Sequence, residues 1–210
     1  MADWTNSSGT WPRPARSPWG APQIRYYQES TAASSAQVNV GDVVRNNTIV
    51  TTGGFRVRRD ESTAGNGANL VHIGGGQILG IAVEGTTGGS ANGALGFVDD
   101  SSVAGGAVTR RVGVAIADGI TEYLGYFKSG GAASDARAAS SLIGQTRPMI
   151  FDSTLSRYFI ASTNSTAALD IVMITDFPSD VLGDSGGVPC YFKFLSSNVH
   201  PSVRIGGPSL

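Results

Sequence analysis

The stretch VGVAIADGITEYLGYF, residues 112–127, decides the fold of this chain. Two apolar runs, 112–117 and 120–127, flank the dipeptide Asp118-Gly119. An Asp-Gly pair between two apolar runs is a strong sign of a tight hairpin turn, because both central residues of that turn need positive φ angles. The stretch therefore predicts two antiparallel strands that pair with each other.

Similar short strand patterns continue on both sides of this stretch. They are rich in β-branched and aromatic residues and are separated by turns rich in glycine, serine and asparagine, which is typical of β-sheet proteins. Two further hairpins are predicted, one across Gly53-Gly54 and one across residues 152–154. The predicted strands outside 112–127 lie within residues 37–52, 55–59, 69–73, 77–84, 94–98, 147–151, 155–160, 167–175 and 189–195.

About ten short strands with glycine-rich turns predict an all-β fold, a single β-sandwich or barrel-like domain over residues 37–210. At most one short helix is expected, near residues 132–142, with Gly144 as its stop signal. The strand at 167–175 is strongly apolar and is predicted to be central. Cys190 lies in an apolar run and is expected to be a small core residue, not a nucleophile.

The composition argues against several classes of function, namely nucleic-acid binding, membrane association and metal or cofactor chemistry. The net charge of the 210-residue chain is −1 and only 15% of its residues are charged, so we expect neither a nucleic-acid partner nor a membrane surface. No stretch reaches the length needed to span a bilayer. A single cysteine excludes an intrachain disulfide, and the two histidines lack metal-ligand spacing, so no metal or other cofactor is expected.

Residues 1–36 differ from the rest of the chain. All three tryptophans lie in the first nineteen residues, together with several prolines that favour extended backbone. Tryptophan, tyrosine and arginine are enriched at protein interfaces, so this segment is predicted to be an extended arm that lies on another surface. An arm that folds back over its own domain is the alternative. The candidate partner-binding residues are Trp4, Trp11, Arg13, Arg16, Trp19, Arg25, Tyr26 and Tyr27.

One motif points to catalysis instead. Gly183-Asp-Ser-Gly-Gly187 is similar to the active-serine motif of chymotrypsin-like proteases, with Ser185 as the nucleophile. His72 and one of Asp99, Asp100 or Asp118 would complete the chain order of the triad. The motif is short for a chain this rich in glycine and serine, and Val188 stands where that family has proline. A turn that leads into the last strand is the simpler interpretation, so we expect no enzyme activity.

Four segments carry a family resemblance. They are Gly41-Asp-Val-Val44, Ile78-Leu-Gly-Ile-Ala-Val-Glu84, Arg111-Val-Gly-Val-Ala-Ile-Ala-Asp-Gly119 and Tyr191-Phe-Lys-Phe-Leu195. Together with the glycine-rich β pattern and the proline-bearing arm, they resemble the decoration (cement) proteins of tailed-bacteriophage capsids. The resemblance extends over residues 38–195 and consists of short similar fragments and a similar glycine-rich β pattern.

The resemblance implies a structural role in the virion. Such proteins commonly form homotrimers on the capsid surface, where their arms contact neighbouring copies of the major capsid protein and stabilise the shell. This chain is therefore expected to be made in the host cytoplasm and to end on the outside of a phage head. A glycan-binding β protein associated with a phage tail or fibre is the alternative, and exposed aromatic residues on the β domain would favour it.

Overall fold

The computed structural model describes residues 12–17, 20–29, 38–46, 56–59, 64–65, 70–72, 78–84, 111–128, 138–152, 157–162, 170–179, 182 and 188–203. These residues form fourteen strands and no α-helix, so the predicted all-β fold of barrel or sandwich type is confirmed. The strands, in chain order, are β1 (Arg13–Arg16), β2 (Ile24–Glu29), β3 (Val43–Asn46), β4 (Arg56–Arg59), β5 (Ala64–Gly65), β6 (Leu70–His72), β7 (Ile78–Glu84), β8 (Arg111–Ile116), β9 (Glu122–Lys128), β10 (Thr146–Arg147), β11 (Met149–Asp152), β12 (Arg157–Ala161), β13 (Val172–Asp176) and β14 (Val188–Phe194).

Five of these strands form a closed barrel, in the order β2-β4-β3-β7-β8. The ring closes because β2 pairs with β8 on one edge and, in parallel, with β4 on the other. Closure leaves no free strand edge within the barrel, which removes the backbone groups that would otherwise template aggregation. β3 and β4 pair antiparallel, as a hairpin between them requires, and the turn predicted at Gly53-Gly54 lies outside the described residues.

The other nine strands form one sheet, in the order β10-β13-β14-β9-β12-β11-β6-β5, with β1 beside β9. The predicted hairpin across residues 152–154 is confirmed, since β11 and β12 pair antiparallel. The strand predicted to be central is β13, and this prediction is wrong: β13 lies second from one end of the sheet, between β14 and the two-residue β10. One edge of β9 is shared: β1 pairs with Glu122–Leu124 of β9, and β12 pairs with Phe127 and Lys128.

The larger of two hydrophobic clusters among the described residues joins the barrel to the sheet, and the smaller one contains Ile150, Phe159 and Ala161. Side chains alternate along β9, so Tyr123 and Phe127 are buried while Leu124 and Tyr126 lie on the opposite face. The Tyr123 hydroxyl donates a hydrogen bond to the Ala115 carbonyl of β8, 3.1 Å away, and so links the two sheets. Other members of this core are Ile78, Ile81, Val112, Val114, Ile160, Ile174, Cys190, Phe192 and Phe194.

The hairpin predicted across Asp118-Gly119 is wrong in its pairing, although both strands exist. β8 pairs with β7 and β2 in the barrel, whereas β9 pairs with β14, β12 and β1 in the sheet. The Asp118 carboxylate accepts hydrogen bonds from the amides of Ile120 (3.0 Å) and Thr121 (2.6 Å) and from the Thr121 hydroxyl (2.9 Å). These bonds form an Asx-type corner that directs the chain from one sheet to the other. Gly119 has the predicted positive φ, +86°.

The strand count exceeds the predicted ten for a simple reason. Two of the fourteen strands, β1 and β2, lie within residues 1–36, and two others, β5 and β10, are only two residues long. In the described part of the predicted helix, Ser140–Leu142 form a 3-10 turn that ends before Gly144, whose φ is +82°. Residues 132–137 lie outside the described part of the chain.

The segment predicted as an arm contributes to both sheets. β2 closes the barrel and β1 extends the nine-stranded sheet, so both segments belong to the β domain of their own chain. Their backbone is extended, as the prolines and the β-branched and aromatic residues favour. For these two segments the structure agrees with the alternative in which the arm lies on its own domain.

Candidate partner-binding surfaces on the first two strands

The predicted anchor residues fall into two groups. Trp4, Trp11 and Trp19 lie outside the described residues, and their role stays a prediction. The other five lie on β1 or β2. Because β1 belongs to the sheet and β2 to the barrel, the structure places them on two separate surfaces.

The first surface surrounds Arg16 on β1. Its Nε lies 3.5 Å from Oε2 of Glu122, and its Nη2 lies 3.5 Å from Oδ2 of Asp176. Its guanidinium carbon lies 3.8 Å from the centre of the Tyr191 ring, a cation–π contact. Interaction with the Tyr191 side chain, and then attraction to Glu122, raises the pKa of Arg16. Arg16 thereby joins β1 to three side chains of the sheet.

Water limits the strength of this contact. Arg16 has 51% of its side chain exposed, and Asp176 has 46%. Exposed ion pairs contribute about 0–1 kcal/mol each, because water screens them. Arg13 is also exposed, opposite Leu124 of β9. This end of the molecule therefore presents two solvent-facing arginines on a weakly attached strand.

The second surface lies on the outside of the barrel. Ile24 and Tyr26 are 47% and 49% exposed and share one face of β2. The Tyr26 hydroxyl donates a hydrogen bond of 3.1 Å to Oε1 of Glu84 on β7. A Cβ at Gly113 of β8 would lie 3.1 Å from Oε2 of Glu84 and 3.2 Å from Cε1 of Tyr26, so glycine gives this hydrogen-bonded pair its room. This hydrogen bond is the largest cause of the raised pKa of Tyr26.

Arg25 and Tyr27 occupy the opposite face of β2. Tyr27 packs against the hydrophobic core, and burial raises the pKa of its hydroxyl. Arg25 donates hydrogen bonds to the Ser202 carbonyl (3.2 Å) and to Oε1 of Gln23 (3.3 Å). Of the five described anchor residues, Tyr27 is therefore a core contact, and Arg25 joins β2 to a segment near the C-terminus.

Sequence reasoning missed several members of these surfaces. Ile24 and Tyr26 alternate with Arg25 and Tyr27, so period-2 spacing over residues 24–27 is the signal that could have separated the two faces. Glu84, Glu122, Asp176 and Tyr191 are brought to the arm only by strand pairing. No local pattern marks them.

Most residues of the candidate catalytic triad lie outside the described part of the chain. Ser185 lies outside it, as do Asp99 and Asp100, while His72 lies on β6. Both oxygens of Asp118 are engaged in its own corner and so already have hydrogen-bond partners other than a histidine. Over the described ranges no group of three or more histidine, cysteine, aspartate or glutamate residues could hold a metal ion. Within the same ranges no helix is long and apolar enough to cross a membrane.

The fold and these surfaces define an all-β protein whose first two strands carry exposed side chains. Comparison with protein-family models, with curated proteins and with solved structures finds no match for this chain.

Proposed function

We propose that this protein is a non-enzymatic decoration protein of a tailed-bacteriophage capsid. It binds the outside of the shell as a homotrimer, and residues 1–36 contact neighbouring copies of the major capsid protein. The proposal rests on the tryptophan-rich N-terminal segment and on the resemblance of four segments to cement proteins.

The observation that carries the proposal is the outward presentation of Ile24 and Tyr26. They stand side by side on a closed barrel with about half of each side chain exposed. A rigid strand that exposes tyrosine and isoleucine supplies a contact surface at low cost in conformational entropy. The same N-terminal region supplies Trp4 and Trp11 from residues that precede β1.

The energetics are adequate for such a role. Burial of one tryptophan removes about 200 Å2 of surface from water and contributes about 5 kcal/mol before ordering costs. A trimer with three arms binds more tightly than a single chain. Once the first arm has bound, the second and third arms are already held close to their sites on the shell. A trimer would therefore hold a shell even if each arm binds weakly.

The structure determines how the arm should be tested. Deletion of residues 1–30 would remove β2 and open the barrel, so a loss of binding would only report misfolding. Deletion of residues 1–11 removes two tryptophans and leaves every described strand intact. A Trp4→Ala/Trp11→Ala double variant tests the indole rings alone. Ile143→Ala, at an exposed apolar position outside the arm, is the matched control.

The assay is co-sedimentation with phage particles purified from the culture that produces the protein and then stripped of it. We expect the wild-type chain to bind in a fixed ratio to the capsid protein, the control to match it, and both arm variants to lose at least about tenfold in affinity, equal to about 1.4 kcal/mol. Absence of the wild-type chain from intact particles would refute the capsid role. Unchanged binding of both arm variants would refute the role of the tryptophans.

Oligomeric state is a separate test. Sedimentation equilibrium of the purified chain should give a mass of about 65 kDa for a trimer of the 21.6 kDa chain. The trimer would be refuted if the chain has the mass of a monomer in solution and also binds stripped particles as single copies.

A further inference from the structure

Residues 196–203, here called the C-terminal strap, connect the sheet to the barrel. The strap follows β14 and contains two 3-10 turns, Ser196–Asn198 and Pro201–Val203. Val199 pairs with Ile78 of β7, and the His200 amide donates a hydrogen bond of 2.8 Å to the Ile78 carbonyl. Val199 and Val203 are both buried in the shared core. The strap therefore covers part of the core beside the barrel.

The ring of His200 is held by groups that define its protonation state. The Ser202 backbone amide donates a hydrogen bond of 3.2 Å to Nδ1, and the Ser202 hydroxyl lies 2.7 Å from the same atom. The Asn46 side-chain amide lies 3.4 Å from Nε2, which carries the proton when Nδ1 does not, so Asn46 must turn its Oδ1 toward this nitrogen to accept from it. A backbone N–H can only donate, so Nδ1 must carry a lone pair and no proton. The observed strap geometry thus requires an unprotonated Nδ1.

Protonation of Nδ1 would turn its attraction to the Ser202 amide into repulsion between two donors. β2 contributes one positive charge next to the strap, because the Arg25 guanidinium donates a hydrogen bond of 3.2 Å to the Ser202 carbonyl. β3 and β7 contribute Asn46 and Ile78, which are uncharged.

We propose that His200 is a pH-sensitive latch that fastens the C-terminal strap to the barrel when Nδ1 is unprotonated and loosens it on acidification. Histidine is the side chain whose ordinary titration falls between pH 5 and 8. Because the fastened form excludes the proton, the loosened form binds more protons, and the strap is stabilised as pH rises through this range. Loosening uncovers Val199, Val203 and the core beneath them. This inference does not depend on a capsid role.

The test is amide hydrogen exchange of the full chain at pH 7.5 and pH 5.0, expressed as protection factors so that intrinsic exchange rates cancel. In the wild-type chain we expect residues 199–203 to lose about fivefold to tenfold in protection at pH 5.0, the effect of about one hydrogen bond. The amides of β9, in the middle of the sheet, should change by less than twofold and serve as the internal control.

His200→Asn is the decisive variant. The Asn Oδ1 can occupy about the position of Nδ1 and accept from the Ser202 amide, but it takes up no proton in this range. We expect this variant to keep strap protection at both pH values. Arg25→Gln removes both the neighbouring positive charge and the hydrogen bond to the Ser202 carbonyl, so its strap should lose protection at both pH values but show a smaller acid response than the wild type. An equal acid response in wild type and His200→Asn would overturn the proposal.

A second measurement keeps the test valid if His200→Asn fails to fold. Nitrogen-15 NMR of the wild-type chain reports the protonation of each ring nitrogen directly. At pH 7.5 we expect Nδ1 of His200 to be unprotonated, and the Ser202 amide signal should move with the His200 titration. A protonated Nδ1 at pH 7.5, or a Ser202 amide that ignores the titration, would contradict the latch.

Discussion

Gly80 lies where β7 leaves no room for a side chain against β8. It lies on β7 between Val44 of β3 and Ile116 of β8, and its φ is +154°. A Cβ at this position would overlap the backbone carbonyl oxygen of Ala115 and would lie 3.0 Å from Cγ1 of Val114. The carbonyl cannot move without breaking the β7–β8 pairing, so only glycine fits here.

We predict that Gly80→Ala lowers the free energy of unfolding by about 3 kcal/mol, since both overpacking and backbone strain oppose it. Urea denaturation followed by fluorescence measures the change. Gly144→Ala is the matched control, because Gly144 also has a positive φ, +82°, but has no atom within 4 Å of an added Cβ. The control should lose only about 1 kcal/mol. Equal losses would show that strain alone, and not close approach, determines the effect.

Asp118 is the residue that directs the chain from the barrel to the sheet. Its carboxylate is buried and satisfies two amides and one hydroxyl. We predict that Asp118→Ala destabilises the fold by about 3 kcal/mol, because three donors lose their acceptor in a buried corner. Asp118→Asn keeps one oxygen for the two amides and should lose about 1 kcal/mol. Thermal unfolding of the three proteins side by side provides the measurement, and identical midpoints would contradict this account of the corner.

At the scale of elements, β1 is held less firmly than its neighbours. It pairs with β9 through only three residue pairs, with a register shift between Pro14 and Arg16. Pro14 removes one backbone donor from the strand. The Arg16 contacts with Glu122, Asp176 and Tyr191 add side-chain attachment to this short ladder.

We predict that Arg16→Ala leaves the global free energy of unfolding within about 1 kcal/mol of wild type but speeds amide exchange in residues 12–17 by about fivefold. Arg16→Lys keeps the charge but loses the planar contact with Tyr191. Its amide exchange rate in residues 12–17 should therefore lie between those of the wild type and Arg16→Ala. Hydrogen exchange resolved by peptide provides the comparison. Uniform loss of protection across β9 and β14 would instead indicate that Arg16 supports the whole sheet.

At the scale of the whole molecule, one core extends from the barrel through the sheet. Cys190 lies fully within it, as the sequence predicts. Burial raises the pKa of the Cys190 thiol above its ordinary value, so the reactive thiolate is suppressed at neutral and mildly alkaline pH. The single cysteine of the chain therefore reports on opening of the core.

We predict that an aromatic disulfide reagent at pH 8 labels native Cys190 at least about 1,000-fold more slowly than it labels the chain unfolded in guanidinium chloride. The slow rate should rise in Gly80→Ala, which destabilises the barrel, and stay unchanged in Arg16→Ala, which affects only an edge. Absorbance of the released thiolate gives the rate. Rapid labelling of the native protein would mean that the core opens far more easily than its packing indicates.

The sequence alone determined where most of the longer strands lie. Period-2 patterns and glycine turns located β7, β8, β9, β11, β12 and β14, and the apolar run around Cys190 placed that residue in the core. These are local properties, because each depends on residues a few positions apart. The exposed face of β2 was also encoded locally, in residues 24–27.

Only the tertiary structure decided which strands became neighbours. The Asp118-Gly119 corner joins two sheets instead of two paired strands, β2 closes a barrel from within the predicted arm, and Arg16 meets Asp176 and Tyr191 from distant parts of the chain. An apolar strand can pair with any partner of suitable length, and the choice depends on which arrangement buries the most apolar surface in one core. That choice is a property of all the strands together, so no single stretch of sequence contains it.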